Sequence, residues 1–139
     1  MQGYYLEDLS AGMEASFAKT VTEADIVLFS GISGDTNPVH INEELARTSV
    51  FEGRIAHGML TASFLSAVLG TKLPGPGSIY LSQSLKFKAP VRIGDTVTAT
   101  ARVKEVIVEK KRVVLETFCQ VAGKTVLEGE AVIMVSSRP

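Results

Sequence analysis

Both histidines of the 139-residue chain lie near one polar turn, and they are the residues best suited to acid–base chemistry. The turn is the segment Gly34-Asp35-Thr36-Asn37-Pro38, and His40 follows it closely. A carboxylate and an imidazole make a competent pair near neutral pH, because one group can accept a proton while the other holds or supplies one. We therefore take Asp35 and His40 as the candidate catalytic pair.

The backbone between these two residues decides whether their side chains can meet. On a continuous helix, positions 35 and 40 would point about 140° apart at ~100° per residue, so the groups would diverge. Pro38 makes such a helix improbable, and the turn residues around it predict a loop in which carboxylate and imidazole converge. The alternative is an Asx turn beside a histidine that is merely hydrogen-bonded.

A second candidate feature is the sequence Ala56-His57-Gly58-Met59 at the start of an apolar segment, about 58–70, that predicts a buried helix. Free N–H groups and the positive end of a helix stabilise developing negative charge, and Gly58 would let an acyl oxygen approach closely. His57 is a candidate substrate-binding residue, although it could simply orient the helix entrance. Within the helix, Ser63 is expected to bond back to a carbonyl, and Ser66 is left open.

The remaining elements predict an α+β fold. A strand is expected over 13–20, a helix from Thr22 through ADIVLFSGIS, and a short Asn42-capped helix to about Ser49. After the LPGPG turn, four strands are expected, over 78–90, 96–108, 112–122 and 125–136. Helices followed by hairpin-linked strands imply one antiparallel sheet that needs a cover, and the uncharged helix is the only candidate of suitable length.

Composition excludes several classes of function. A net charge of −1 with interspersed charges offers no basic stripe for a nucleic acid. The uncharged segment 55–71 is shorter than the ~20 residues of a membrane span, and the single cysteine, Cys119, favours a reducing cytoplasm. Metal-ligand, redox and phosphate-loop motifs are missing, as is the G-x-S-x-G of serine esterases, so no metal and no bound cofactor are predicted.

The segments FSGISGDTNPVHINEELA and FEGRIAHGML resemble the signature of the MaoC-like R-specific enoyl-CoA hydratases. The resemblance continues through GSIYLSQSLKFKAPVRIGD to about Ala131 and so spans nearly the whole chain. It implies a single hot-dog domain over 1–139, in which an antiparallel sheet wraps a long central helix. It also implies a homodimer, an acyl-CoA thioester as substrate, and coenzyme A as part of that substrate rather than a cofactor.

The family's functional residues carry over by position. The resemblance assigns the catalytic pair to Asp35 and His40, loop bracing to Asn37, thioester-oxygen binding to the Gly58 N–H, and shaping of the active site to Ser66. It further implies an acyl pocket with walls from the central helix, the Val50–Arg54 loop and the dimer partner. Two alternatives share this architecture, namely a hot-dog acyl-CoA thioesterase and a non-catalytic acyl-thioester binding protein.

Overall fold

A computed structural model describes residues 2–139 and shows one antiparallel sheet around a central helix. The sheet has the strand order β1-β4-β5-β6-β2, and β3 also pairs with β6. The strands are β1 (Glu14–Thr20), β2 (Ile79–Gln83), β3 (Lys86–Phe87), β4 (Thr96–Ile107), β5 (Arg112–Val121) and β6 (Lys124–Met134). The helices are α1 (Glu23–Ser33), α2 (Pro38–Ile41), α3 (Glu43–Ala46) and α4 (Gly58–Thr71).

The inner face of the sheet is built by the alternation that the sequence of β5 shows. Val113, Leu115 and Cys119 are fully buried, whereas Glu116 between them is exposed. Successive side chains of a strand point to opposite faces, so this pattern needs an apolar cover on one side only. The predicted strand and its orientation are confirmed.

Helix α4 supplies that cover. Leu65 and Val68 are 0% exposed, and Phe64 packs edge-on against Phe17 of β1 with ring centroids 6.1 Å apart. Burying a leucine side chain stabilises the fold by about 1.5–3 kcal/mol, so this face of the helix contributes substantially to stability. The predicted helix-and-sheet core is therefore confirmed.

The opposite face of α4 differs from the expectation of a helix enclosed on all sides. Met59, Ser63, Ser66 and Gly70 are exposed in the single chain and lie along one stripe of the helix. Residues at this spacing share a helix face, so α4 has one open side in the single chain. The sequence showed that this helix carries no charge. A helix without charge can be buried, but it need not be covered on every side.

The segment between β1 and α4 carries three helices in place of the two expected. Thr22 caps the start of helix α1, since its hydroxyl accepts from Asp25 N at 3.2 Å. Gly34 caps its end, with a φ of 81° that favours glycine. Helix α3 is capped by Asn42, as predicted, but it ends at Ala46 rather than near Ser49. The additional helix, α2, contains His40.

The stretch 78–90, expected as one strand, forms two short strands on β6. The pairing register shifts between Tyr80 and Ser82, which bends the chain. Beyond it the Ser84 hydroxyl accepts from Glu130 N at 2.9 Å, so a side chain takes part where a regular ladder would use main-chain carbonyls. Within residues 2–139, none of the helices combines the length and the apolar character needed to cross a membrane.

Candidate active site

The turn that carries Asp35 is fixed by local hydrogen bonds. Asp35 N donates to Ser33 Oγ at 3.1 Å, and Asp35 Oδ1 accepts from Asn37 N at 3.2 Å. One carboxylate oxygen thus shapes the turn as in an Asx turn, while the other, Oδ2, points away from these contacts. The side chain is 51% exposed in the single chain, so Oδ2 is accessible to small molecules.

His40 lies on the one-turn helix α2, not in a continuous loop as expected. Asn37 caps this helix, since its Oδ1 accepts from Val39 N at 3.2 Å, and Pro38 occupies the first turn. Proline is well tolerated there because its missing N–H would have no helical partner. Asn37 therefore fixes the backbone between the two candidate catalytic residues.

The tautomer of His40 follows from its hydrogen bond. Nδ1 lies 2.9 Å from the main-chain oxygen of Ile55, which can only accept, so Nδ1 carries a proton, and in the neutral imidazole Nε2 presents a lone pair. Nε2 is 3.9 Å from Asp35 Oδ2, too far for a direct hydrogen bond. Two acceptors therefore face each other without bonding.

A water molecule is well suited to the space between these acceptors. Across the 3.9 Å separation, a water with hydrogen bonds of about 2.8 Å to both atoms would subtend an angle of about 90°, close to its own geometry. Both of its protons would then be held by acceptors, and an oxygen lone pair would be free. This is the arrangement that general-base activation of a water requires.

The start of α4 provides donors beside this pair. Within residues 2–139 the Gly58 N–H makes no hydrogen bond, as expected in the first turn of a helix. A Cβ at position 58 would lie 2.5 Å from Cε1 of Phe87, so the ring of Phe87 packs directly against the glycine. The structure thus explains the glycine by close contact with a side chain, besides the approach of a ligand expected from the sequence.

A cavity of about 490 Å³ connects Asp35 with the start of α4. Its wall includes Phe51 and Ile55 from the loop before α4, and Phe87 from β3. Its lining also includes Asp35 and Gly58. His40 does not line the cavity, but its Nε2 lies 3.9 Å from Oδ2 of Asp35, which does. The wall is mostly apolar, as is typical of pockets that bind acyl chains.

Ser66 does not line this cavity, although the sequence assigned it to the active site. It borders a second cleft, of about 540 Å³, together with Ser63, Phe29 and Leu85, and among the described residues only Met59 contributes to both cavities. Eight residues of helix separate Ser66 from Gly58, which corresponds to about 12 Å along the axis. The Ser63 hydroxyl donates to Leu60 O at 2.5 Å, as predicted.

His57 is 1% exposed, and its ring stacks on His40 with centroids 3.9 Å apart and planes inclined by 26°. Burial lowers the pKa of His57, against a raising effect of its hydrogen bond to the Asp35 main-chain oxygen. Donor atoms of Asp35, His40 and His57 lie within 4.8 Å of one another. However, nearly parallel stacked rings direct their lone pairs side by side, so the arrangement favours stacking over joint coordination of one ion.

Two residues of the site were missed by the sequence analysis. Phe87 alternates with Lys86 and Lys88, so it shares the apolar face of the strand with its neighbours at 85 and 89, and this alternation was the available signal. Arg54 joins three helices, since it donates to His40 O at 2.6 Å, to Glu23 at 2.8 Å and, through its main chain, to Glu43 at 3.3 Å. No sequence pattern indicated that role, because its partners are remote along the chain.

The chain belongs to the MaoC-like family, since it matches the family described as MaoC like domain over residues 8–127. The resemblance inferred from the motif is thereby confirmed.

Individual relatives and a solved structure show which members of this family the chain resembles. The (R)-specific enoyl-CoA hydratase of Rhodospirillum rubrum is 64% identical over 135 residues, covering 97% of this chain and 94% of that protein. The 3-hydroxybutyryl-CoA dehydratase of Methylorubrum extorquens is 47% identical, covering 96% and 85%. The unliganded structure of R-hydratase PhaJ1 from Pseudomonas aeruginosa superposes with a TM-score of 0.92 at 42% identity, covering 99% of this chain and 88% of that one. This likeness confirms the hot-dog architecture.

Proposed function

We propose that this protein is an R-specific enoyl-CoA hydratase, a hydro-lyase that adds water to trans-2-enoyl-CoA and yields (R)-3-hydroxyacyl-CoA. The observation that carries the proposal is the pair of acceptors, Asp35 Oδ2 and His40 Nε2, facing each other across 3.9 Å beside a cavity that contains Gly58. Relatives named as R-specific hydratases support the substrate and its stereochemistry. The relative named as a dehydratase carries out the reverse direction of the same kind of reaction.

In the proposed mechanism, Asp35 and His40 hold one water by its two protons. The water oxygen attacks C3 of the enoyl thioester while one of the two residues takes a proton. The C2–C3 π electrons move toward the thioester carbonyl, and C2 is then protonated, so that the elements of one water are added across the double bond. Which residue takes the first proton is left open.

The Gly58 N–H is proposed to receive the thioester oxygen as negative charge develops on it. A free amide at the amino end of α4 suits this role, because the helix dipole adds to the hydrogen bond. Asn37 acts on the same step indirectly, by capping the helix that carries His40. No bound cofactor enters this mechanism, and coenzyme A takes part only as the carrier of the substrate.

We further propose a homodimer. The exposed stripe of α4 that contains Met59, Ser63 and Ser66 lies in the same cleft as β2, an edge strand with exposed Tyr80 and Leu81. Unpaired edges and apolar patches of this kind are normally covered in folded proteins. A second copy that paired its own β2 here would also place Ser66 in an enclosed acyl pocket. Light scattering coupled to size-exclusion chromatography tests the dimer directly. We also propose a cytoplasmic location.

The function is tested by mixing purified protein with enoyl-CoAs of graded chain length and following the loss of the conjugated-thioester absorbance. The expected result is hydration without release of free thiol, and a product that an R-specific 3-hydroxyacyl-CoA dehydrogenase accepts. Thiol release would instead indicate a thioesterase, and binding without turnover would indicate an acyl-thioester binding protein. An S product would contradict the proposal outright.

A further inference from the structure

The ring of His57 occupies an unusual place between the two catalytic candidates. It is the residue before α4 but makes no side-chain bond to that helix. Instead, Nε2 lies 3.0 Å from the main-chain oxygen of Asp35 and 3.1 Å from Ser30 Oγ, while the ring face lies on His40. One side chain therefore contacts the backbone of one catalytic candidate and the imidazole of the other.

The hydrogen bonds define the protonation state of this ring. A carbonyl oxygen can only accept, so Nε2 of His57 carries the proton that it shares with Asp35 O. Nδ1 is buried and has no hydrogen-bond partner within residues 2–139. A proton on Nδ1 would be a buried donor without an acceptor, next to another imidazole, and that is costly.

A ring that stays neutral during turnover cannot serve as the acid or base of the reaction, but it can hold geometry. The contact with Asp35 O fixes the turn from which the carboxylate projects. The His57 ring, itself contacted by Phe29 with centroids 4.9 Å apart, stacks on His40 and fixes the plane of the His40 imidazole. Together these contacts set the separation of 3.9 Å between Asp35 Oδ2 and His40 Nε2.

We infer that His57 is a positioning residue for the hydratase pair, acting on Asp35 through its main-chain oxygen and on His40 through its ring face, and that it exchanges no proton during turnover. This inference rests on the proposed function and assigns His57 a role different from the substrate binding expected from the sequence. His57 borders the cavity, but at 1% exposure its ring presents almost no surface to an acyl group.

Three substitutions separate the two contacts. His57→Gln keeps an N–H donor near the position of Nε2 but has no ring, His57→Phe keeps the ring but no donor, and His57→Ala keeps neither. Misplacement of catalytic groups by about 1 Å can cost ~10²-fold in rate, so we expect His57→Ala to lose about 100-fold in kcat and the other two about tenfold each. The KM for crotonyl-CoA should stay within about twofold of the parental value, because ground-state binding is untouched.

The pH profile distinguishes positioning from proton transfer. Each variant should show a kcat/KM profile of parental shape at a lower level, because no titrating catalyst has been removed. Loss of one limb of the profile would make His57 a catalytic acid or base and overturn the inference. A rise in KM without loss of kcat would make it a substrate-binding residue, and a lowered melting temperature with parental kcat would make its role purely structural; either result also overturns it.

Nitrogen NMR of the unmodified protein gives a test that needs no enzymatic activity and leaves His57 in place. The chain has only two histidines, and a His40→Gln spectrum assigns their ring signals. We expect the His57 ring to remain a neutral Nε2–H tautomer from about pH 8 to pH 5, the range in which histidines usually titrate. A His57 ring that titrates in this range, or that carries its proton on Nδ1, would refute the inference even if the protein hydrated no enoyl-CoA.

Discussion

Replacing Asp35 by asparagine tests the water-binding pair at the level of one atom. The amide has nearly the same volume, and its oxygen can still accept from Asn37 N, the 3.2 Å bond that shapes the turn. At the position of Oδ2, however, an NH₂ group would face the His40 Nε2 lone pair across about the same 3.9 Å. A water in that space would lose one of its two acceptors and meet a donor instead.

The size of the expected rate loss follows from the proposed role of Asp35 in holding the water. Loss of a general base costs ~10²–10⁴-fold in rate, and each tenfold corresponds to about 1.4 kcal/mol, so the barrier should rise by about 3–5 kcal/mol. We expect kcat for crotonyl-CoA to fall accordingly, with KM nearly unchanged and the melting temperature within a few degrees. The assay is the loss of enoyl-thioester absorbance at saturating substrate.

Glu44→Gln is the matched control, because it makes the same carboxylate-to-amide change on exposed α3 outside the cavity. It should leave the rate unchanged. If Asp35 and His40 hold one water jointly, Asp35→Asn combined with His40→Gln should be little worse than either single variant. Parental turnover by Asp35→Asn, or fully multiplicative losses in the double variant, would refute the shared-water mechanism.

Three further outcomes are expected. Gly58→Ala should lower kcat because the new Cβ would lie 2.5 Å from Cε1 of Phe87, and adding Phe87→Leu should restore part of the loss, as measured with crotonyl-CoA. Burial lowers the pKa of His57 below its ordinary 6.5, so the unfolded chain binds a proton at a higher pH than the folded chain does. The free energy of unfolding should therefore decrease as pH falls below 6.5. Urea titrations should show this slope flattened in His57→Phe, and an equal slope in both proteins would exclude His57 as its cause. Burial raises the pKa of Cys119 to about 12, so a thiol reagent should label it in urea but not in the native protein, and rapid native labelling would contradict the buried position in β5.

The fold was largely predictable because its signals are periodic. The alternation in β5 and the uncharged run in α4 each reflect a single buried face, and both elements lie within two residues of their expected bounds. The split of 78–90 was not predictable, since it depends on a register shift against β6, which is remote along the chain. The exposed stripe of α4 was missed because absence of charge does not distinguish an open face from a covered one.

The sequence singled out Asp35, His40, His57 and Gly58, which the structure brings together, but it did not indicate their geometry or that Ser66 borders a different cleft. The unusual spacing around Pro38 indicated that Asp35 and His40 leave a continuous helix, yet Asn37-Pro38 also carried a start signal for α2 that was overlooked. The stack of His57 on His40 and the link from Arg54 to His40 join residues 14 or more positions apart. Such contacts are decided by tertiary packing, which one sequence does not display.

The proposed catalytic pair is carried by a part of the chain that is held mainly by contacts with α1 and with residues 54–57, and little by its own helices. Between β1 and α4, the helices α2 and α3 have only four residues each, too few to be stable outside their tertiary context. This segment can therefore open locally while β4, β5 and α4 remain folded, as weakly anchored segments commonly do. Amide protons of residues 35–46 should then exchange with solvent much faster than those of β5. On heating, we expect catalytic competence to disappear before the sheet melts, so that thermal inactivation would report on the opening of this segment and not on unfolding of the whole domain.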